Sequence, residues 1–407
     1  MNTPQTENRI SRDKNVLVVL REALAINVEL RDLIDRFCGK VVYSMSDIPA
    51  ASGKRRIYAC GDISALTEKI AELLVIRELS DNYEAYQAAS VTLGEVPVIV
   101  SNAGVYFRKF FTDDTYFEKI KSEHQFQELT ESNKPSKAFR KGIYLSRVTK
   151  EQDQDGKEAL HYRLLRCSSN LTGPTDNFRT TDHKIIDALN AAVDYTFEDK
   201  TTLNHVLAQI YENKMKGDGV DKEVKSRIKA HSDKTKDMPS NGLIAFCTFY
   251  DNADIAGLKP SATDRYDRCY KEVSGFTRLH FKLKNTVTDE SLEKEFSVIL
   301  YPNSVFTIPL STNRLYTHEI RPSMLNADRI PTRMGYVVRC SNLEAKYVDN
   351  QAYIRDNDTF IPLEIMTPET QQELRDTYYE ENISEKMVRY GKTHFSMNAG
   401  DYEKPIF

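Results

Sequence analysis

Between residues 242 and 341 the chain is a succession of short, apolar, β-prone segments, and this pattern constrains the fold more than any other feature. GLIAFCTFY (242–250), FTRLHFKLK (276–284), EFSVILYP (295–302), SVFTIPL (304–310) and GYVVRCS (335–341) are each of strand length and are separated by turn-forming residues. In FTRLHFKLK, Leu279, Phe281 and Leu283 alternate with Arg278, His280, Lys282 and Lys284, the period of a half-buried strand. Strands of this kind in succession predict a β-sandwich or barrel.

The flanking regions read differently. Residues 15–36 (NVLVVLREALAINVELRDLIDR) and 62–79 (DISALTEKIAELLVIREL) space apolar residues as amphipathic helices do, with Asp62 as an N-cap. Extended pieces are predicted at 96–102 and 142–148, and the latter pairs with 159–165 as a hairpin around KEQDQDGKE. A helix is predicted over 182–195, a long insertion or lid over 251–275, and a helix over 368–380 in the acidic, Tyr-rich C-terminal part. The fold class is therefore α+β. Three regions are expected: an N-terminal α/β region (1–175) packed on the core as a substrate-side cover, the β-rich core (176–348), and an acidic C-terminal helix and tail (349–407).

Composition narrows the function. Lys plus Arg number 56 and Asp plus Glu 60, giving a net charge of -4, which excludes a protein basic throughout that coats nucleic acid. The six cysteines stand singly, with no Cys-x-x-Cys pair, so neither a zinc ribbon nor a disulfide framework is expected. No stretch resembles a signal peptide or a membrane span. A cytoplasmic or nuclear setting is the expectation, and the sequons at Asn170, Asn357 and Asn382 are chance matches.

Chemistry enters at His231-Ser232-Asp233, whose first and third residues share a side on extended backbone. Alone, a His-x-acid triplet is no more than chance supplies. Downstream, His318 lies in NRLYTHEIRP, and RMGYVVR places Arg333, Gly335, Val337 and Arg339 on one strand face. Met334, Tyr336, Val338 and Cys340 occupy the other face, so the strand should be buried on both sides. Buried arginines stay charged and need anions, either internal carboxylates or a ligand. Two histidines and one carboxylate on one side of an iron leave three positions open, as in non-haem Fe(II) oxygenases. An arginine deeper in the barrel suits the far carboxylate of 2-oxoglutarate.

With these residues in place, the sequence resembles the Fe(II)/2-oxoglutarate-dependent dioxygenases, and within them the AlkB-like branch. The similar stretch runs from LNHVLAQIYENK (203–214) through IKAHSDKTKDMPSNGLIAFCTFY (228–250) and LHFKLK (279–284) to YPNSVFTIPLSTNRLYTHEIRP (301–322) and RIPTRMGYVVRCS (329–341). The family's Asn-x-Tyr falls on Gln209 and Tyr211, and its Arg-x-Asn-x-x-x-Arg strand on Arg333, Gly335 and Arg339. The chain departs from the pattern at Gln209 and Gly335, where the family has asparagine.

The resemblance implies a double-stranded β-helix (jelly roll) core. It implies iron on His231, Asp233 and His318, the far carboxylate of 2-oxoglutarate on Arg333 and Tyr211, and Arg339 near the keto-acid end, with Gln209 at the same co-substrate site. It further implies Fe(II), 2-oxoglutarate and O2 as the reacting set, with a substrate C–H bond hydroxylated and succinate and CO2 released. The basic stretch Lys214–Lys236 is diluted by acids and the chain has no Trp, so a small-molecule or amino-acid-type substrate is favoured over a modified nucleobase. A non-catalytic binding module on the same barrel is the remaining alternative, and the complete ligand set argues against it.

Overall fold

A computed structural model describes residues 7–20, 28–50, 53–66, 73–131, 134–152, 156–166, 171–391 and 393–407. The architecture is mixed α+β and mostly sheet. Eight strands carry the centre: β1 His205–Tyr211, β2 Ile228–His231, β3 Leu243–Tyr250, β4 Arg278–Leu283, β5 Glu295–Ile299, β6 Val305–Pro309, β7 Tyr316–Arg321 and β8 Arg333–Arg339. They divide between two antiparallel sheets, one ordered β1-β8-β3-β6 and the other β2-β7-β4-β5. The first sheet is extended on the β1 side by Lys134–Ser146 and on the β6 side by Gly104–Phe107 and Val98–Val100.

Alternation along each strand explains why the large sheet is buried twice. On one face Tyr211, Ile244, Phe246 and Tyr250 meet Leu279, Phe281 and Phe296 of the small sheet. Phe281 and Phe296 stack with centroids 4.7 Å apart. On the other face Val206, Ala208, Ala245, Met334 and Val338 pack under Ile185, Leu189 and Val193 of the helix Thr180–Thr196. The two faces of β8 are both buried, as the sequence predicts. On β4, Leu279 and Phe281 point inward and Arg278 and Lys282 outward, but His280 is also buried, donating or accepting at Ser297 Oγ.

Three local expectations are corrected. Asn15–Val19 is a strand, all five residues buried, and helix is described only over Val28–Arg36. Asp62 caps a short 3-10 turn, Ile63–Ala65, after which Leu73–Asp81 is again a strand, with 67–72 outside the described residues. Both strands belong to an all-parallel sheet ordered Lys40–Val42, Asn15–Val19, Arg56–Asp62, Leu73–Asp81, Ser90–Val91. A parallel strand covered on both faces is a continuous apolar run, which mimics helical spacing. Third, the expected hairpin partners lie in different sheets. Residues 142–146 pair with β1, whereas Glu158–Leu164 pairs with Thr149–Gln152 and with Leu343–Val348.

Segment 251–275 holds a short helix, Asn252–Ile255, and a small three-stranded sheet. The C-terminal helix Pro368–Ile383 starts at a Thr367 cap with proline in its first turn. Among the described residues no helix is long and apolar enough to cross a membrane.

Candidate metal centre

β2 and β7 are antiparallel neighbours, and their register sets His231 opposite His318, with ring centroids 4.5 Å apart. Asp233 follows two residues after His231 and turns to the same side. Its Oδ1 lies 3.7 Å from His231 Nε2 and 3.9 Å from His318 Nε2. Atoms bound to one first-row ion at about 2.0–2.2 Å lie within about twice that distance of one another. The three side chains thus offer a compact set of ligand atoms.

Protonation suits this role. His231 Nδ1 donates to the Lys229 carbonyl at 2.8 Å, leaving the Nε2 lone pair facing Asp233. Burial, reinforced by His231, pushes His318 down to about 3, so its ring is neutral near pH 7. Burial alone would raise Asp233, but the Arg339 guanidinium and the two imidazoles hold it well below the usual carboxylate range. Arg339 donates through Nε at 2.8 Å and Nη2 at 2.7 Å, both to Asp233 Oδ2. Oδ1 is left directed at the histidines. Arg339, which the resemblance placed near a keto-acid end, is therefore also the brace of the carboxylate.

The far part of the site is a matter of register. Gln209 faces Gly335 and Tyr211 faces Arg333 across β1 and β8. The Arg333 guanidinium lies 3.9 Å from the centroid of the Tyr211 ring, and the Tyr211 hydroxyl donates to Gln209 Oε1 at 3.2 Å. Arg333 is 3% exposed, and its Nε and Nη2 are buried with no acceptor among the described residues. Gly335 leaves room beside both side chains. A Cβ there would come within 3.0 Å of Arg333 Nη1 and 3.3 Å of Tyr211 Cε2. A buried guanidinium without an anion, over a cradle kept open by glycine, matches a carboxylate-bearing ligand.

Several supporting residues escape sequence reading. Asn313 accepts from the Asp233 backbone N–H at 2.8 Å and donates to the Asp233 carbonyl at 2.9 Å. Asn382, in the C-terminal helix, accepts from Ser232 N–H at 2.7 Å, and Glu381 accepts from Thr235 N–H at 3.1 Å. Their partners are 80 and about 150 residues distant, and no local pattern marks them. The Asn382 sequon is occupied by this contact.

Three other histidines lie outside this group. His205 is buried opposite Arg339, His183 packs edge-on to Phe178, and His280 faces Ser297.

A second histidine-carboxylate group, Glu123, His124 and Asp182, was not singled out by sequence. It lies on the helix-covered side of the large sheet, where the Tyr336 hydroxyl donates to Asp182 at 2.7 Å. His124 Nδ1 meets Asp176 at 2.8 Å and Nε2 meets Asp182 at 2.9 Å. Burial opposes a charge here, but the two carboxylates overcome it and raise His124 to about 9. Both ring nitrogens carry protons, so this group has no imidazole lone pair to offer.

No protein-family model matches the chain, and no curated protein matches it either. Among solved structures it is similar to "The structure of OsALKBH1", at 13% identity and TM-score 0.33, over 58% of this chain and 96% of that one. It is also similar to "Selenomethionine labeled Fe(II)/(alpha)ketoglutarate-dependent dioxygenase TqaL", at 8% identity and TM-score 0.23, over 61% of this chain and 78% of that one. At this level of similarity, the geometry of the site itself has to carry a functional reading.

Proposed function

We propose that the chain is an Fe(II)/2-oxoglutarate-dependent dioxygenase whose eight central strands form a double-stranded β-helix. The observation that carries this reading is one constellation. Two imidazoles and one carboxylate converge on a point, and a buried guanidinium without an anion among the described residues lies on β8 of the facing sheet. The strand orders β1-β8-β3-β6 and β2-β7-β4-β5 support the architecture, since the chain passes between two facing sheets.

His231, Asp233 and His318 would hold the metal, and Arg333 with Tyr211 would hold the far carboxylate of the co-substrate. Fe(II) with 2-oxoglutarate and O2 supplies the oxidising power to hydroxylate a C–H bond, releasing succinate and CO2. The protein's own residues set the geometry. Arg339 occupies Asp233 Oδ2 and so fixes which oxygen faces the metal. Lys229 O fixes the tautomer of His231. Asn313 and Asn382 hold the backbone on which the ligands stand. Phe246 and Phe281 pack against His318 at 5.4 and 5.6 Å and exclude water from that side.

For the substrate we propose a small molecule or amino-acid-type compound. Three of the seven lysines in the 214–236 stretch are paired with nearby acids, Lys214 with Glu212, Lys225 with Glu223 and Lys236 with Asp237, and Lys234 lies over the Tyr378 ring. A track for a nucleic-acid backbone needs unpaired cations and aromatic platforms. The described cysteines are free thiols, which fits a reducing compartment such as the cytoplasm.

Anaerobic addition of Fe(II) and 2-oxoglutarate should produce the visible charge-transfer band of a chelated keto acid, and its absence would remove the reading. Succinate release should then respond to a panel of amino acids and metabolites. Salt-sensitive stimulation by methylated single-stranded oligonucleotides instead would transfer the proposal to a nucleobase substrate.

A further inference from the structure

Buried polar atoms without partners are rare, and in the large sheet several gather on one face. By register, Arg140, Tyr211, Arg333 and Tyr250 form one row across four neighbouring strands. Gly142, Gln209, Gly335 and Thr248 form the next row. In these two rows Arg333 Nε and Nη2, Arg140 Nε and Thr248 Oγ1 are buried without a hydrogen-bond partner among the described residues. The reading above uses Arg333 and leaves Arg140 unexplained.

Arg140 comes from Lys134–Ser146, outside the eight central strands and outside the segment that carries the family resemblance. It is 7% exposed. Alternation fixes its face: Ile143 and Leu145 pack under the helix Thr180–Thr196, so Arg140, Gly142 and Tyr144 share the side of Tyr211 and Leu207. Carboxylates on the flanking strands are engaged away from it, since Lys141 pairs with both Glu128 and Glu212. At the other end of the row the Tyr250 hydroxyl is satisfied by the Leu300 carbonyl. The Nε of Arg140 is thus a buried charged donor without an acceptor among the described residues, which calls for an anion from outside the chain.

Resting on the proposed function, we propose that Arg140 is a second anion-binding residue of the co-substrate site. The far carboxylate of 2-oxoglutarate lies over Tyr211 between Arg140 and Arg333. The two backbones are two strand spacings apart, about 10 Å, a gap that two long guanidinium side chains close around one carboxylate. The absence of a side chain at Gly335 keeps the volume beside Arg333 and Tyr211 open. Two guanidinium groups on one carboxylate select a dicarboxylic keto acid over a monocarboxylic one.

The test is an anaerobic titration of the Fe(II) protein with 2-oxoglutarate and with 2-oxobutyrate, read by the charge-transfer band. 2-Oxobutyrate presents the same keto-acid end and lacks the far carboxylate. Arg140→Gln should weaken 2-oxoglutarate at least about tenfold, as expected for loss of one partner of a buried charged contact, and leave 2-oxobutyrate unchanged. Arg140→Lys, which keeps the charge, should weaken 2-oxoglutarate less. The ratio of the two affinities within one variant guards against misfolding, because a damaged barrel loses both. Unchanged 2-oxoglutarate affinity in Arg140→Gln, with Arg333→Gln impaired, overturns this inference alone. An equal loss for both keto acids also overturns it. No band from the wild-type protein with either acid overturns the underlying reading together with it.

Discussion

The large sheet has a histidine-carboxylate group on each face, and β8 touches both. From one face Arg339 grips Asp233 beside His231 and His318; from the other the Tyr336 hydroxyl binds Asp182 beside His124. The residue types are nearly the same, and the chemistry differs through protonation. His318 is surrounded by apolar rings and another imidazole, and is held neutral with its lone pair aimed at a shared point. His124 has one carboxylate on each nitrogen, and is held charged. A metal centre needs carboxylates beside the imidazoles, whereas an ionic lock needs carboxylates on them.

The largest expected effect separates the two groups outright. Asp233→Ala should abolish Fe(II) binding measured by anaerobic calorimetry, while Asp182→Asn should leave one metal bound per chain. A second metal lost on Asp182→Asn would erase the distinction. The reverse asymmetry is expected in stability. His124→Ala leaves buried carboxylates without their cation and should cost about 3–5 kcal/mol in urea unfolding, with Fe(II) affinity per folded chain unaltered. Arg333→Ala should weaken 2-oxoglutarate by about 2–5 kcal/mol without moving Fe(II) affinity, and normal binding would locate the anchor elsewhere.

The lock also has a pH signature. His124 is raised in the fold from its ordinary 6.5 to about 9, so its contribution is full below pH 6.5 and is lost as pH rises through 9. That loss is on the order of 3 kcal/mol. Over this window the denaturant midpoint of the wild type should fall relative to that of His124→Asn, in which the other titrating groups, such as Lys236 and Lys284, are unchanged. The smallest effect sharpens the metal side. Asn382→Ala removes the acceptor of Ser232 N–H, and should cost about 1 kcal/mol of stability and about tenfold in metal affinity. Equal metal affinity in that variant would make the helix contact irrelevant to the site.

The two groups were unequally legible in the sequence. His231, Asp233 and His318 were singled out by the family resemblance, with which the i and i+2 geometry of a strand and the period-two arginines agree. The faces of β8 followed from the same period. Asn15–Val19 was misread because a strand buried on both sides has no alternation to display, and Leu73–Asp81 because its apolar start, LLVI, runs into exposed Arg77 and Glu78 without a period of two. His124 gave no signal because its carboxylates lie 52 and 58 residues away in sequence, Asp176 on a short extended segment and Asp182 in the first turn of the helix Thr180–Thr196. Asn313 and Asn382 are likewise polar residues whose meaning depends wholly on what the fold brings to them. Periodicity reports which way a side chain points, not what waits there.

The contact between Ser232 and Asn382 spans 150 residues, and it sets an order of events during synthesis. Ribosomes extend chains at about 5–20 residues per second, so the segment bearing His231 and Asp233 emerges roughly 8–30 s before the helix that steadies it. During that interval the nascent chain would hold His231 and Asp233 on backbone lacking the support of the helix Pro368–Ile383. A chain halted before residue 382 would carry the proposed ligands without the Asn382 contact that holds their backbone.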